Sequence, residues 1–504
     1  MYSTVLSASI HGLEVKFVHV EADISNGLPV FHMVGYLSSE VKEASERVRT
    51  AIRNAEFTIP AKKIVVNLSP ANVRKRGASF DLPIAIAILT SLGYIEGEKI
   101  RGMLFVGELG LDGSIRKVPG ILPIVIEAKN KGCRICVVPR SNANEAGIME
   151  GIRIWPVESL KELCGFLKED KVPEWKPNKG GRKREEEKLD FSEIKGQALL
   201  KRAAEIAVAG NHNLLFVGPP GAGKTMIAKR IPTIFPLLSE DESIEVTKVY
   251  SILGLTDEEQ PLILTPPFRS PHHTATRAAL IGGGMIPGPG EISMANHGVL
   301  FLDELPEFPR QVLDVLRQPM EEGCIRLTRK TGVYQFPADF MLVAAMNPCP
   351  CGYYPDANRC ICTPLQVRQY LSHISGPFLD RIDLCVEAAK VEYEELCGEV
   401  EEESSKEIRK RVCTARERQY ERYGSRKTNA SLTPSEVEKF CVLGRTEHTF
   451  MRQIFDKLSL TVRTYHKVLK VARTIADLEE KEAIALEHLR EAVAYRAMEE
   501  KRGR

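Results

Sequence analysis

The 504-residue sequence has no apolar run long enough to span a membrane and almost no net charge. A membrane-spanning helix needs about 20 apolar residues. The longest apolar stretch, residues 82–92, is shorter and is interrupted by Pro83, Thr90 and Ser91. With 69 Lys and Arg against 67 Asp and Glu, net charge predicts neither a membrane nor a nucleic-acid partner, so any basic surface must be local.

Residues 1–17 contain no basic segment followed by an apolar one, so no secretion signal is expected. The 12 cysteines are therefore expected to be reduced thiols, which predicts a cytoplasmic protein with no membrane partner. The composition, with 43% apolar and 27% charged residues, is typical of a folded globular protein and excludes long disorder.

Composition divides the chain into four segments. Residues 1–165 are predicted to form an α/β domain. Residues 166–190 combine Pro, Gly and mixed charge with few apolar side chains, which indicates a linker. A second α/β domain is predicted for residues 191–388 and a helical domain for residues 389–504.

Several local elements can be predicted within these segments. Apolar and polar residues alternate from Val18 to Ile24, which indicates a half-buried strand. Residues 81–92 are predicted to be a helix, and residues 103–118 a hairpin. A capping box at residues 433–436 begins one carboxyl-terminal helix, and apolar residues recur at helical spacing over 462–476.

A phosphate-binding loop follows a short apolar strand in the second α/β domain. The strand at residues 214–217 leads directly into GPPGAGKT, which is the G-x-x-x-x-G-K-[ST] motif in the strand, loop and helix order that it requires. Its glycines let backbone N–H groups surround phosphate oxygens, and the helix N-terminus adds a favourable dipole. Lys224 is expected to reach the β- and γ-phosphates of ATP, and Thr225 to ligate Mg²⁺. The loop consists of Gly218, Pro219, Pro220, Gly221, Ala222, Gly223, Lys224 and Thr225.

Two further strands end in polar side chains. The apolar strand at residues 299–302 ends in Asp303 and Glu304. Ligands bind at the carboxyl ends of strands in open α/β sheets, so Asp303 is expected to hold Mg²⁺ and Glu304 to orient or deprotonate the attacking water. A third strand ends near Asn347, whose amide either senses the γ-phosphate or lies in the turn before Pro348.

The longer motifs around these residues resemble one family. In chain order they are GPPGAGKT, FRSPHHTATRAALIGGG, PGPGEISMANHGVLFLDELPEF, NPCPCG and GPFLDRIDL. Over essentially the whole chain the sequence resembles the magnesium-chelatase-like AAA+ ATPases of the ComM (YifB) type. The resemblance implies an α/β fold with a central AAA+ αβα P-loop domain, a helix-2 insert and a carboxyl-terminal helical lid. It also implies a hexameric ring with ATP sites between subunits, which acts in DNA branch migration during natural transformation.

The resemblance assigns roles to several residues. Asn347 matches the sensor-1 asparagine, and Arg463 resembles the sensor-2 arginine. Arg381 matches the arginine finger that completes a neighbouring subunit's site, where a guanidinium neutralises transition-state charge; a surface ion pair with a nearby aspartate is the alternative. Ile194 and Gly196 lie in a stretch that resembles the segment packing on adenine.

Residues 325–336 are predicted to form two strands around a basic tip at Arg329 and Lys330. In the related replicative helicase rings, a hairpin at this place carries its tip into the central pore. Six such tips would form a positive collar that grips phosphate without reading sequence. A solvated hairpin turn is the alternative.

Two groups of side chains have the chemistry of metal ligands. His272 and His273 lie in the segment 269–290, which resembles the helix-2 insert, and a loop role is favoured because no acid or cysteine accompanies them at suitable spacing. Four cysteines in a C-x-C-x8-C-x-C pattern can complete a tetrahedral Zn²⁺ shell. Because C-x-C is tighter than the usual C-x2-C, a loop of reduced thiols is the alternative. These cysteines are Cys349, Cys351, Cys360 and Cys362.

The amino-terminal domain resembles the Lon-protease fold. In proteolytic members a serine precedes an apolar helix, and a lysine lies further along the chain. Ser79 falls near the place of the nucleophile, and Ile124 falls at the place of the lysine. A serine hydroxyl without a general base is a poor nucleophile, so no peptidase activity is expected. DNA engagement or a ring collar is the predicted role.

These observations together predict an ATP-driven hexameric ring motor that moves single-stranded or branched DNA without sequence preference. ATP and Mg²⁺ are the predicted cofactors, and Zn²⁺ is a further candidate. Three alternatives are a metal-insertion motor like magnesium chelatase, an ATP-dependent protease and a nucleotide-gated scaffold. The Lon-like domain disfavours the first, Ile124 the second, and the presence of both Glu304 and Arg381 the third.

Overall fold

Two sheets covered by helices are followed by a helical region. The computed structural model describes residues 2–178, 189–284, 286–329, 332–389 and 402–503, with the backbone alone for 497–503. Within these ranges, no helix is both long and apolar enough to cross a bilayer. The α/β class and the helical carboxyl-terminal region predicted from the sequence are confirmed.

The amino-terminal sheet has seven strands, and a small two-stranded ribbon lies beside it. The strands are β1 (Tyr2–His11), β2 (Glu14–Ser25), β3 (Phe31–Val34), β4 (Lys63–Ser69), β5 (Met103–Phe105), β6 (Glu108–Leu109), β7 (Ile115–Arg116), β8 (Ile135–Pro139) and β9 (Arg153–Val157). The sheet order is β3-β4-β2-β1-β5-β8-β9, and β6 pairs with β7 in the ribbon. The alternation predicted for residues 18–24 is confirmed, because Val18, Val20, Ala22 and Ile24 are buried along β2.

Five helices accompany this sheet, namely α1 (Ser39–Asn54), α2 (Asp81–Ser91), α3 (Ile121–Asn130), α4 (Ala143–Ala146) and α5 (Leu160–Glu169). Residues 103–118 were predicted to form one hairpin, and this prediction is wrong for residues 103–105, which form β5 of the main sheet. All three residues of β5 are buried, and β5 pairs in parallel with β1 and β8, so only β6 and β7 form the turn. The helix α5 crosses the predicted boundary at residue 165, because Leu163 and Leu167 are packed in the core.

The second sheet is entirely parallel and is accompanied by a two-stranded hairpin. Its strands are β10 (Leu214–Val217), β11 (Phe268–Arg269), β12 (Val299–Leu302), β15 (Met341–Met346) and β16 (Leu384–Glu387), and the hairpin consists of β13 (Cys324–Arg329) and β14 (Gly332–Pro337). The sheet order is β11-β12-β15-β10-β16. Alternate residues of β10 lie in different cores, with Leu214 and Phe216 on one face and Leu215 and Val217 on the other. Both faces are therefore covered, as in parallel sheets generally.

The remaining helices divide between this sheet and the carboxyl-terminal region. Those around the sheet are α6 (Ala198–Gly210), α7 (Lys224–Ile234), α8 (Glu240–Ile252), α9 (Arg277–Ile281), α10 (Glu291–Met294), α11 (Arg310–Leu316), α12 (Pro319–Glu322), α13 (Pro364–Ser372) and α14 (Gly376–Leu379). The carboxyl-terminal helices are α15 (Ser405–Tyr423), α16 (Pro434–Phe440), α17 (Arg445–Lys457), α18 (Val462–Leu478) and α19 (Leu486–Gly503). The predicted helix start at Pro434 and the apolar periodicity of α18 are confirmed.

A buried carboxylate joins the amino-terminal sheet to the second α/β unit. Glu145 in α4 accepts hydrogen bonds from the backbone N–H of Leu122 at 3.1 Å and from the Ser251 hydroxyl at 2.5 Å. The Thr256 hydroxyl donates to the same carboxylate at 3.3 Å. Ser251 lies in the last turn of α8, and Thr256 lies in the segment that follows this helix. The Glu145 carboxylate therefore fixes α8 against α3 and α4.

Replacing Glu145 with Ala should loosen this junction, because it leaves several buried donors without an acceptor. We expect a loss of about 3 kcal/mol in the free energy of unfolding. Urea unfolding followed by tryptophan fluorescence measures it, since both tryptophans, Trp155 and Trp175, precede the second α/β unit. Glu127→Ala, at a half-exposed position of α3, is the matched control. Equal midpoints for the two variants would contradict the assignment.

Candidate nucleotide site

The P-loop lies between the carboxyl end of β10 and the start of α7. Gly221 and Gly223 have φ values of +80° and +78°, a left-handed conformation that glycine adopts without strain. The Lys224 ammonium is buried and donates to the carbonyl oxygens of Gly218 at 2.6 Å and Pro219 at 2.8 Å. Burial lowers the pKa of Lys224, and the Asp303 carboxylate opposes that shift. The amine is thus held inside the loop, where phosphate oxygens can replace the carbonyl acceptors.

The two acidic residues after β12 face different groups. Asp303 accepts a hydrogen bond from the Thr225 hydroxyl at 2.8 Å. Glu304 has a left-handed backbone with φ of +51°, and its side chain is 60% exposed. The turn therefore directs Asp303 toward the P-loop and leaves the Glu304 carboxylate open to solvent, where a water molecule can reach it.

Asn347 lies beside the P-loop lysine. It follows β15, and its Oδ1 atom accepts a hydrogen bond from the Lys224 ammonium at 3.1 Å. The structure thus brings together four predicted site residues at the carboxyl edge of the sheet, Lys224, Thr225, Asp303 and Asn347. Because β10, β12 and β15 are neighbouring parallel strands, the segments that follow them meet at this edge.

The stretch that was predicted to pack on adenine lies against the P-loop helix. Arg230 of α7 donates to the Asp190 carbonyl at 2.8 Å and to the Glu193 carboxylate at 3.1 Å. The next residue, Ile194, is buried in the same core as Ala222 of the P-loop. The backbone N–H of Gly196 donates to Glu402 at 2.8 Å, so a residue just before α15 also contacts this stretch.

Two residues near the site were not predicted to belong to it: His273 was expected to have a loop role, and Tyr370 was given no role. His273 Nδ1 lies 3.4 Å from Glu304 Oε2, so the histidine loop that follows β11 contacts the proposed base. Tyr370 of α13 faces the backbone of Asn347, and burial together with the Glu307 carboxylate raises its pKa to about 12. The contact of His273 with Glu304 follows from the parallel pairing of β11 with β12, which no local sequence pattern indicates.

Arg381 and Arg463 lie together, at the other edge of the sheet. Arg381 comes just before β16, and its guanidinium pairs with the Glu321 carboxylate at 2.7 Å. Arg463 pairs with the same Glu321 oxygen. Because β16 runs parallel to β10, its amino end faces away from the P-loop, and four residues of strand span about 13 Å. Neither arginine is therefore placed in its own chain's P-loop by this arrangement.

The carboxyl-terminal helices hold this second edge in place. Lys467, one turn after Arg463 on α18, donates to the Ile382 carbonyl at 3.0 Å and pairs with Asp383 at 3.0 Å. Burial alone would raise the pKa of Asp383, but Lys467 and His212 hold it well below its usual range. Burial lowers the pKa of Lys467, and the Asp383 carboxylate opposes that shift. The helical region is thus fixed at the arginine edge by a buried contact between Lys467 and Asp383.

The remaining predicted site residues lie elsewhere. Arg329 is exposed at the end of β13, and Lys330 lies outside the described residues. The four predicted cysteine ligands, Cys349, Cys351, Cys360 and Cys362, have their sulfur atoms within 4.8 Å of one another. In the amino-terminal domain the place of the Lon lysine is Ile124, which is buried in α3.

The geometry defines a P-loop ATPase with a magnesium-compatible oxygen pair, and comparison with known proteins supplies its family. The family described as "Magnesium chelatase, subunit ChlI" matches residues 190–396. "Subunit ChlI of Mg-chelatase" matches residues 20–142, and "Magnesium chelatase, subunit ChlI C-terminal" matches residues 402–496. The match therefore includes the P-loop, both acids, Asn347 and both arginines.

Whole-length relatives agree with these matches. The chain is 44% identical over 507 residues to the competence protein ComM of Haemophilus influenzae, covering 98% of this chain and 97% of that protein. It is 43% identical over 498 residues to the uncharacterized protein YifB of Escherichia coli (strain K12), covering 99% and 97%. An uncharacterized Mycobacterium tuberculosis protein, Rv2897c, is 37% identical over 504 residues, covering 97% of each. The chain belongs to the ComM and YifB type of magnesium-chelatase-like AAA+ ATPases, a family whose chemistry uses a nucleotide and Mg²⁺.

Changing Glu304 to Gln should block hydrolysis while preserving ATP binding, because the amide keeps the shape of the side chain but cannot accept a proton. General-base loss costs about 10²- to 10⁴-fold in rate. Steady-state hydrolysis and equilibrium binding of a fluorescent ATP analogue measure the two effects. Glu322→Gln, at an exposed position of α12, is the control. Normal turnover in Glu304→Gln would refute the assigned base.

Subunits lacking Arg381 should regain activity when they are mixed with subunits lacking Lys224. Arg381→Ala alone should lower hydrolysis about a thousandfold if the guanidinium acts on a neighbour's phosphate. If the chain assembles head to tail, a mixed assembly would contain junctions with an intact P-loop from one chain and an intact arginine from the other. Hydrolysis by the 1:1 mixture should exceed the sum of the two separate variants.

The control for this mixing experiment is Arg310→Ala, which removes an exposed arginine from α11. It should hydrolyse ATP within about twofold of the unmodified chain, as surface substitutions usually do. A mixture no more active than its components would show that Arg381 does not complete a site on another copy.

Proposed function

We propose that this ATPase is a hexameric ring motor that moves DNA, with branch migration during natural transformation as its task. The observation that carries the proposal is the separation of two groups of residues across one parallel sheet. Lys224, Asp303 and Asn347 lie at the carboxyl edge, while Arg381 and Arg463 lie at the amino edge. One chain therefore offers half of a hydrolytic site on each side, and a head-to-tail ring would pair those halves.

The residues at the carboxyl edge fit ATP with Mg²⁺. The Thr225 hydroxyl and the Asp303 carboxylate are hard oxygen ligands, and their oxygens lie 2.8 Å apart. Bound there, Mg²⁺ would offset the charge of the phosphates. Lys224 would donate to phosphate oxygens in place of the loop carbonyls, and Glu304 would accept the proton of the attacking water. The cysteine thiolates are soft ligands that do not suit Mg²⁺, so Zn²⁺ at those residues would be a separate metal.

The hairpin β13–β14 supports a DNA-moving role. Its base is anchored, because Tyr334 and Phe336 are buried and Gly12 of the amino-terminal domain lies close to the Tyr334 ring. Its outer end is exposed, with Arg329 at the surface and Val333 67% exposed. A basic tip on an anchored hairpin can transmit a displacement of the ATP site to a phosphate backbone. The name of the Haemophilus relative, a competence protein, motivates DNA as the polyanion.

A metal-insertion motor is the second candidate, because three segments of the chain match families named for magnesium chelatase. It would hydrolyse ATP at a rate that does not depend on DNA. Proteolysis has less support, since Ile124 has no amine to activate a serine. The two candidates therefore differ in the response of hydrolysis to DNA.

Lys330→Ala should abolish the stimulation of hydrolysis by DNA and leave basal hydrolysis within about twofold, because the proposed role of this residue is phosphate contact and not ATP hydrolysis. The measurements are ATP hydrolysis with and without single-stranded DNA, and ATP-dependent strand exchange on a mobile four-way junction. The control is Lys131→Ala, at an exposed position after α3.

Three results would contradict the proposed function. The first is hydrolysis by the unmodified protein that is equal with and without DNA. The second is a four-way junction that exchanges no strands in the presence of ATP. The third is a protein that remains a monomer with ATP bound in the Glu304→Gln variant. An unchanged DNA response in Lys330→Ala would contradict the proposed contact of Lys330 with DNA, but not the other parts of the proposed function.

A further inference from the structure

Residues 349–362, in the loop between β15 and α13, are held by a few local hydrogen bonds and one contact of Arg359 with the Tyr353 ring, and they bury little apolar surface. Within residues 349–362 the structure has neither helix nor strand, and only Cys349 and Gly352 are buried. Ordering a backbone residue costs about 1–2 kcal/mol, and so little apolar burial does not offset that cost for the loop. Short segments of this kind are commonly held by a metal or by disulfides.

The four cysteines of this loop converge on one point. Cys349 Sγ lies 3.4 Å from Cys351 Sγ and 3.8 Å from Cys360 Sγ, and Cys351 Sγ lies 3.6 Å from Cys360 Sγ. Together with Cys362, all four sulfurs lie within 4.8 Å of one another, and none forms a disulfide. Zn–S bonds of about 2.3 Å in a tetrahedron would place the sulfurs about 3.8 Å apart. The three distances among Cys349, Cys351 and Cys360, from 3.4 to 3.8 Å, lie close to this value.

The spacing and the surroundings favour a single ion over an iron–sulfur cluster. Cluster ligands bind different iron atoms, so their sulfurs would lie further apart than these do. A tetrahedral set of four thiolates is a preference of Zn²⁺ among the common divalent ions. The backbone N–H of Tyr354 donates to Cys349 Sγ at 3.3 Å, which is the kind of hydrogen bond that orients a metal-bound ligand.

The loop also lies directly against the nucleotide site. Asn347 is two residues before Cys349 and accepts a hydrogen bond from Lys224 at 3.1 Å. A Cβ atom added to Gly352 would lie only 2.5 Å from Cδ of Pro220, so this part of the loop is in close contact with the P-loop. After Cys362 the chain enters α13, whose Tyr370 faces the backbone of Asn347. Any shift of the loop would therefore move Asn347 or the P-loop.

We propose that Cys349, Cys351, Cys360 and Cys362 bind one structural Zn²⁺ ion, and that this ion positions Asn347 and the P-loop for hydrolysis. The ion does no phosphoryl chemistry itself. It closes the loop so that Gly352 stays packed on Pro220 and the Asn347 amide stays beside Lys224. The metal assignment stands on the cysteine geometry alone, whereas the positioning role also rests on the ATPase activity.

The test is metal analysis of the full chain, purified without a metal-affinity tag and without added zinc. We expect about one zinc per chain in the unmodified protein and a loss of at least tenfold in the double variant Cys360→Ser, Cys362→Ser. The control is Cys133→Ser, which changes a half-buried cysteine outside the loop. This variant should contain as much zinc as the unmodified protein. A zinc content below about half an ion per chain, or iron in its place, would overturn the metal site.

A second measurement keeps the proposal falsifiable if the double variant folds poorly. Chain produced with Co²⁺ in place of Zn²⁺ should show the visible and thiolate charge-transfer absorption of a tetrahedral four-sulfur site. Absence of those bands in protein that holds cobalt would place the metal elsewhere and overturn the assignment.

The positioning role has its own readout. The double variant should bind a fluorescent ATP analogue within about threefold of the unmodified chain while its maximal hydrolysis rate falls about tenfold or more, since a misplacement of 1 Å can cost about a hundredfold. Its ratio of hydrolysis with DNA to hydrolysis without DNA should not change. Unaltered hydrolysis in a zinc-free variant would overturn the positioning role. A zinc-loaded chain that ignores DNA would instead contradict the proposed function.

Discussion

The direction of the strands in the second sheet is the constraint on which the nucleotide site depends. Because β10, β12, β15 and β16 all run in parallel, whatever follows a strand lies at one edge and whatever precedes a strand lies at the other. The P-loop, Asp303 and Asn347 follow strands and therefore meet. Arg381 precedes β16 and is kept away from them. Within one chain, the sheet therefore separates the residues expected to bind phosphate and Mg²⁺ from Arg381.

The arginine edge is also where the carboxyl-terminal helices are attached. Lys467 pairs with Asp383 and donates to the backbone of Ile382, and Arg463 shares the Glu321 carboxylate with Arg381. A phosphate that attracts either arginine would compete with Glu321 for it. Both arginines and the helical region therefore belong to one small network of charges, so a change at Glu321 would affect Arg381 and α18 together.

Much of this site could be predicted from the sequence, and the reason is that its main parts are local. GPPGAGKT is contiguous, Asp303 and Glu304 directly follow an apolar strand, and the cysteines lie within fourteen positions. The strand at residues 18–24 and the helix α18 were predictable because burial on one face leaves a period in the sequence. The hairpin predicted for residues 103–118 failed because β5 is buried on all sides, so its apolar run carried no information about its partners.

The amino-acid sequence by itself determined which groups are present for phosphate, magnesium and thiophilic metal chemistry, and the order in which strands and helices carry them. Only the tertiary structure decided which of these groups meet. Glu321 lies 142 residues before Arg463, and His273 reaches Glu304 only because β11 and β12 are neighbours. The cysteine loop likewise contacts the P-loop through Gly352 and Pro220. Such contacts join residues far apart in the chain, and no periodicity or local propensity records them, because they follow from the pairing and packing of whole elements.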